Sequence, residues 1–197
     1  MRLVLATRNP GKVDELRALL AGLPVELVSA AEIAGAPEVD EDRPTLEGNA
    51  EKKALALHRH TGLPALADDT GLEVDALDGA PGVRSARFAG PAADAEANRR
   101  KLLHELGGRP GRAARFRTVL AFAESGRVET FDGVCAGRIT HEERGSGGFG
   151  YDALFEPDGE TRTFAEMPVE EKNRISHRAR ALARFAAYLR ERFSRPQ

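Results

Sequence analysis

The stretch from Leu3 to Val28 confines the chain to a narrow set of folds. A short apolar run of β type, Leu3 to Ala6, is followed by the turn Thr7-Arg-Asn-Pro-Gly-Lys12. Val13, Leu16, Leu19 and Leu20 then recur at helical spacing, and Val25 to Val28 offers a second strand. This βαβ-like opening predicts an α/β protein. Further on, strands outnumber helices until a helical tail, so the sheet is expected to be mixed.

The remaining elements are read from caps and periods. A second helix is expected from Thr45 as N-cap to about His58, followed by the apolar run Leu63-Pro-Ala-Leu-Ala67. That strand is expected to end at Asp68-Asp69, before Thr70-Gly71. Asp94 and Gly107 bound a third helix with Leu102, Leu103 and Leu106 facing inward. Phe116, Thr118, Leu120 and Phe122 alternate with Arg117, Val119 and Ala121, and Ser125-Gly126 turns the chain toward Val128–Val134 as a hairpin. The last helix begins near Ser176, with Leu182, Phe185, Ala186, Leu189 and Phe193 as its buried stripe.

A chain of 197 residues with 41% hydrophobic content can bury one sizeable core, and a single domain over residues 1–197 is expected. No apolar stretch approaches the roughly 20 residues that cross a bilayer, and the N-terminus lacks a signal-peptide pattern. A soluble, cytoplasmic protein without a membrane partner is expected. The lone Cys135 excludes an internal disulfide framework and a cysteine-built zinc site. The formal charge of −2 hides an asymmetry. Glu32, Glu38, Asp40, Glu41, Asp42, Glu47 and Glu51 cluster early; Arg174, Arg178, Arg180, Arg184, Arg190, Arg192 and Arg195 crowd the end. Solvated helix faces account for such runs as well as a charged partner does.

Several segments carry chemistry. In Thr7-Arg8-Asn9-Pro10-Gly11-Lys12, free backbone N–H groups and a helix N-terminus favour a phosphate, and Lys12 adds a full positive charge. The segment lacks both the Walker and the dinucleotide spacing, so an ordinary capped turn also fits it. On the second helix, Asn49 and Lys53 fall among Leu46, Ala50 and Leu57, on the apolar face. A lysine there calls for an anion, unless it snorkels at the helix edge. Any of Asp40, Glu41 and Asp42 offers the hard oxygen that Mg²⁺ takes, although a surface acid is the commoner explanation for each one. Asp68 and Asp69 suit a division of labour between metal binding and proton removal from water, but equally a turn that caps its own backbone. On an extended strand the two would point to opposite sides unless Gly71 bends the chain. Gly145-Ser-Gly-Gly-Phe-Gly-Tyr-Asp152 lets backbone approach a flat ligand, with Phe149 as the stacking ring, or forms a loop anchored by its aromatics. Lys172 and Ser176-His177-Arg178 add donors suited to phosphate or base oxygens, although His177 also suits a core position.

These motifs, in order, resemble the non-canonical purine nucleoside triphosphate pyrophosphatases, also called inosine triphosphate pyrophosphatases. The resemblance rests on Leu5 to Lys12, on the pattern from Glu41 through Thr45, Asn49 and Lys53 to Ala54, and on Ala67 to Leu72. It continues through Gly79 to Arg87, Gly147 to Asp152 and Glu171 to Arg178. Two departures are mild: Ala153 stands where the family usually has proline, and Thr70 replaces the commoner serine. The resemblance implies an elongated, two-lobed α/β fold around a central mixed sheet with flanking helices, a nucleotide cleft between the lobes, and a homodimer. It implies Mg²⁺-dependent hydrolysis of inosine, deoxyinosine and xanthosine triphosphates (ITP, dITP, XTP) between the α and β phosphates, clearing them from the nucleotide pool. Residue by residue, Thr7, Asn9, Lys12 and Lys53 correspond to the phosphate cradle, with Arg8, Pro10, Gly11 and Asn49 beside it. Glu41 and Asp69 correspond to metal ligands, Asp69 also to the proton acceptor, and Asp68 to close support. Thr70, Phe149, Gly150, Tyr151, Asp152, Lys172, His177 and Arg178 correspond to substrate contacts, the last two near the purine 6-oxo group.

The chemistry is consistent with that implication, because phosphoryl transfer needs charge neutralisation and an aligned water more than a covalent nucleophile. Hypoxanthine and xanthine present an acceptor at position 6 where adenine presents a donor, so an Arg or His donor rejects adenine. Two rivals remain: a pyrophosphatase for modified pyrimidine nucleotides, and a non-catalytic nucleotide- or RNA-binding module using the C-terminal arginines. The net negative charge speaks against a nucleic-acid partner.

Overall fold

The computed structural model describes residues 1–92 and 94–194, and Arg195 of the C-terminal arginine cluster lies outside them. It shows an α/β chain built on a mixed sheet with flanking helices. The βαβ-like opening is present as β1 (Arg2–Leu5), α1 (Pro10–Leu20) and β2 (Glu26–Ser29), and β1 pairs with β2 in parallel. Helix α1 starts inside the phosphate-type turn, with Asn9 as N-cap and Pro10 in the first turn, where its missing N–H costs nothing. Helix α2 (Leu46–Thr61) begins after Thr45, whose Oγ1 accepts from Gly48 N at 3.1 Å. It ends at Gly62 in the left-handed region, a turn later than the period suggests.

Strand β3 (Ala65–Val74) corrects one expectation, since it continues through Asp68-Asp69-Thr70-Gly71 without a break. Its first part pairs in parallel with β1, and Leu72 and Glu73 pair with the short antiparallel β4 (Pro81–Gly82). Ladder pairing on both sides of the acids overrides the turn preference of Asp, Thr and Gly. Helix α3 (Ala95–Leu106) carries the expected Asp94 cap, and β5 (Ala113–Glu124) and β6 (Arg127–Ile139) meet at Ser125-Gly126, both at positive φ. The alternation in β5 does not mark a one-sided strand, because Val119 and Ala121 are as buried as Leu120 and Phe122. β7 (Phe155–Pro157) pairs antiparallel with β6, and the strands follow the order β2-β1-β3-β5-β6-β7 with β4 on β3.

A seven-residue helix, α4 (Val169–Ile175), precedes the tail and was not foreseen, and α5 (His177–Ser194) follows after Ser176. Leu182, Phe185, Ala186 and Leu189 of α5 are buried as its stripe predicts, but Phe193 is 43% exposed near the helix end. Among the described residues no helix is long and apolar enough to cross a membrane.

Two compact units share the chain. The first comprises Met1–Asp69, Thr118–Gly133 and the segment from Arg178 on; the second comprises Thr70–Arg117 and Val134–His177. Leu3, Leu5, Leu16, Leu20, Leu66, Leu120, Phe122, Leu182, Phe185 and Leu189 form the core of the first. Leu72, Leu102, Leu106, Phe116, Tyr151, Leu154, Phe155 and Phe164 form that of the second.

Candidate functional site

In the first unit, the unbroken course of β3 sends the two adjacent carboxylates to different partners. Asp68 Oδ2 lies 2.9 Å from Lys12 Nζ of α1 and accepts from Arg178 Nη2 of α5 at 3.3 Å. Asp69 Oδ2 accepts from Asn49 Nδ2 of α2 at 3.1 Å, and Lys53 Nζ lies 3.4 Å from its other oxygen. Strand geometry thus settles what the sequence left open, because neighbours along an extended chain face opposite ways.

Lys53 is the hub on the Asp69 side. Its ammonium donates to Glu41 Oε1 at 2.7 Å and to the Asp68 carbonyl at 2.6 Å. Of the three candidate acids before α2, only Glu41 arrives at this cluster. Asp42 and the Asp40 carbonyl are both taken by Lys52 at 2.8 Å. Asn49 is fully buried, and its Oδ1 accepts from Arg43 N at 2.9 Å, so one side chain ties Asp69 to the segment that carries Glu41. The helical face that placed Asn49 and Lys53 among apolar residues therefore reports a real inward orientation.

Electrostatics separate the carboxylates. Burial alone would raise Asp68, but Lys12, Arg178 and Lys53 outweigh it and hold this acid well below the usual carboxylate range. Burial pushes Asp69 above its ordinary value; Glu41 adds to that rise, and Lys53, Lys12 and Asn49 offset only part of it. Burial disfavours the Lys53 ammonium, yet Asp69, Asp68 and Glu41 hold its pKa above the ordinary lysine value. Glu41 and Asp69 therefore present two hard oxygen donors to one cationic point. These two carboxylates could hold a divalent ion of the Mg²⁺ type, which usually takes one or two carboxylates with water. Among the described residues no group of three or more His, Cys, Asp or Glu gathers as a metal site.

Sequence reasoning missed Glu15. Buried in α1, its carboxylate takes the second amino group of Arg178 in a short ion pair, so Arg178 stands between two acids. The signal was present, because Lys12, Glu15, Leu16 and Leu19 share one helical face, the same pattern that exposed Lys53. Thr7 Oγ1 accepts from Asn9 N at 3.2 Å and Asn9 Oδ1 from Lys12 N at 3.3 Å, leaving Pro10 and Gly11 as first-turn backbone. Arg8 is drawn to Glu38 at 2.7 Å and the Ala36 carbonyl at 2.8 Å.

The second unit holds the aromatic loop. Lys172, buried in α4, donates to Asp152 Oδ2 at 2.8 Å, and its ammonium lies 4.9 Å from the centre of the Phe149 ring. Asp152 Oδ2 also accepts from Phe149 N at 2.9 Å. Gly148 permits this curl, because a Cβ there would meet that same oxygen at 2.1 Å. Tyr151 donates its hydroxyl to the Ser85 carbonyl at 2.8 Å, and burial holds its phenol well above the ordinary value, so it stays neutral. His177 is buried and stacked on Phe116, ring centres 4.6 Å apart at 19°. Thr70 is half-buried in β3.

Comparison with known proteins spans both units. The model of the Ham1 family matches residues 3–188. The dITP/XTP pyrophosphatase of Desulforamulus reducens is 56% identical over 185 residues, 92% of each chain. That of Geobacter sulfurreducens is 53% identical over 185 residues, covering 92% of this chain and 93% of its own. The solved HAM1 protein of Coxiella burnetii superimposes with a TM-score of 0.90 at 39% identity, covering 97% of this chain and 99% of its own. A match of that extent and identity, over a span that includes every motif described above, means that the chain belongs to the Ham1 family.

Proposed function

We propose that this chain hydrolyses non-canonical purine nucleoside triphosphates, dITP, XTP and ITP, to the monophosphate and pyrophosphate. The observation that carries the reading is the convergence of Glu41, Asp69 and Asn49 on and around the Lys53 ammonium. The names of relatives about half identical to this chain support it. The chemistry we assign is attack of water at the α–β phosphoanhydride: one P–O bond forms, the bridging P–O bond breaks, and pyrophosphate leaves. Glu41 and Asp69 would hold Mg²⁺, which when bound neutralises charge on the triphosphate and acidifies water.

The chain's own groups do the rest. Asp69, its carboxyl raised above the ordinary value by burial, is the acceptor for the water's proton, and Asn49 fixes its rotamer. Lys53 and Lys12 supply positive charge to the phosphates. Asp68, held ionised by Lys12 and Arg178, orients those two cations. In the second unit, Phe149 offers a stacking face to the base, and Lys172 and His177 offer donors to acceptor oxygens of a 6-oxo purine, as the adenine amine cannot accept. The homodimer implied by the resemblance belongs to the same proposal.

The test is pyrophosphate release by the purified chain with Mg²⁺ from ITP, dITP, XTP, GTP and ATP at equal concentration. The 6-oxo non-canonical substrates should turn over with kcat/KM well above ATP. Asp69→Asn should lower kcat by about 100- to 10,000-fold, the span of general-base contributions. No pyrophosphate from any of the five nucleotides would end the reading.

A further inference from the structure

The aromatic loop of the second unit has a support that none of the motifs contains. Arg99, one turn into α3, donates from Nη1 to the Gly150 carbonyl at 2.9 Å, and its Nε lies 2.9 Å from Glu143 Oε2. Its side chain is 19% exposed, so the charge is largely withdrawn from water. Gly150 sits between Phe149 and Tyr151 with φ +63. Further anchors of this loop lie on either side: Gly147 N donates to the Ala165 carbonyl at 3.0 Å, and the Phe149 amide and Tyr151 hydroxyl are held as described. Arg99 holds the Gly150 carbonyl between them. Three residues beyond Gly150 stands Ala153, so the backbone there lacks the restraint that a pyrrolidine ring would give.

We propose that Arg99 is a positioning residue for base binding: anchored by Glu143, it fixes Gly150 and with it the plane that Phe149 presents to a purine. The inference rests on the nucleotide reading above. A loop that visits several orientations binds with its affinity reduced by the fraction in the competent one. Removing the brace therefore acts on binding and leaves the chemistry at Asp69 untouched.

Arg99→Met should raise KM for dITP about 5- to 10-fold with kcat within about twofold of the parent. Arg99→Lys, which retains a donor for the Gly150 carbonyl, should recover most of that loss. Ala153→Pro placed in the Arg99→Met background should lower KM again by supplying restraint from the chain itself. In the free protein, amide exchange of the segment 145–153 should quicken in Arg99→Met and not in Arg99→Lys. Unchanged KM and unchanged exchange in Arg99→Met would overturn the inference, as would a loss borne by kcat alone. The exchange measurement is independent of turnover. Parent protein that releases no pyrophosphate would sink the nucleotide reading, while the exchange arm still decides whether Arg99 braces the loop.

Discussion

Three buried carboxylates show how burial and the charge of the neighbours compete to set the charge of a side chain. Asp68, Asp69 and Glu156 are all buried, and burial alone would raise each of them. Asp69 rises because burial dominates and a second acid, Glu41, adds to it, while Lys53, Lys12 and Asn49 offset only part. Asp68 falls because two cations touch it. Glu156 in β7 also falls, accepting from Arg138 Nε at 2.7 Å and Arg144 Nη2 at 2.6 Å. Since Glu156 belongs to none of the proposed chemistry, it gives a clean reading of this principle. Its folded pKa lies below the unfolded value of about 4.3, so the unfolded chain binds more protons in that window and stability rises with pH there. The contribution is complete above the unfolded value and is lost as pH falls through the folded one. Glu156→Gln should therefore be less stable than the parent by a constant amount above about pH 5, and the gap should close as pH drops below about 4. Denaturant midpoints measured from pH 2.5 to 7 would show this; a gap independent of pH would refute the assigned cause.

At the level of elements, close packing makes demands that only some sequence signals announce. Gly145 opens the aromatic loop at φ +81, and a Cβ built there would lie 2.5 Å from both the carbonyl carbon and oxygen of Ala165. Backbone cannot swing aside as a side-chain tip can. Gly145→Ala thus adds overpacking to left-handed strain, together roughly 3 kcal/mol. Urea unfolding at unchanged m would report it, and a loss under about 1 kcal/mol would mean that the loop relaxes freely. The cluster of glycines was plain in the sequence, but which of them meets backbone was not. Caps were legible at Thr45 and Asp94, and the Ser125-Gly126 turn was legible, because each is decided by one or two residues acting locally. The end of β3 was misplaced because ladder partners far along the chain, not Thr70 and Gly71, decide whether a strand continues. Helix α4 escaped because Val169–Ile175 is too short to show a period, and β5 misled because Val119 and Ala121 face packing on what alternation marks as the outer side. In the site, Lys53 was found from its helical face, whereas Glu15 on the same type of face was not recognised.

For the whole molecule, the groups proposed for the chemistry and those proposed for base recognition fall in different units of the chain. Every partner described for Asp69 — Asn49, Lys53 and, through that lysine, Glu41 — comes from the first unit. Phe149, Lys172 and Asp152 hold one another within the second. Groups that serve different steps and share no partner should contribute independently. Phe149→Ala removes a stacking face worth about 1–3 kcal/mol per base, which raises KM for dITP about 10-fold or more while kcat stays close to the parent's. Asp69→Asn acts on kcat and leaves the affinity for a non-hydrolysable dITP analogue nearly intact. In the double variant the two losses should multiply in kcat/KM, their free energies adding to within about 0.5 kcal/mol. Steady-state kinetics on the four proteins, with analogue binding by calorimetry, measure both arms. A double variant no worse than Asp69→Asn alone would mean that Phe149 acts through the same step as the carboxylate, and the separation of roles between the units would fall.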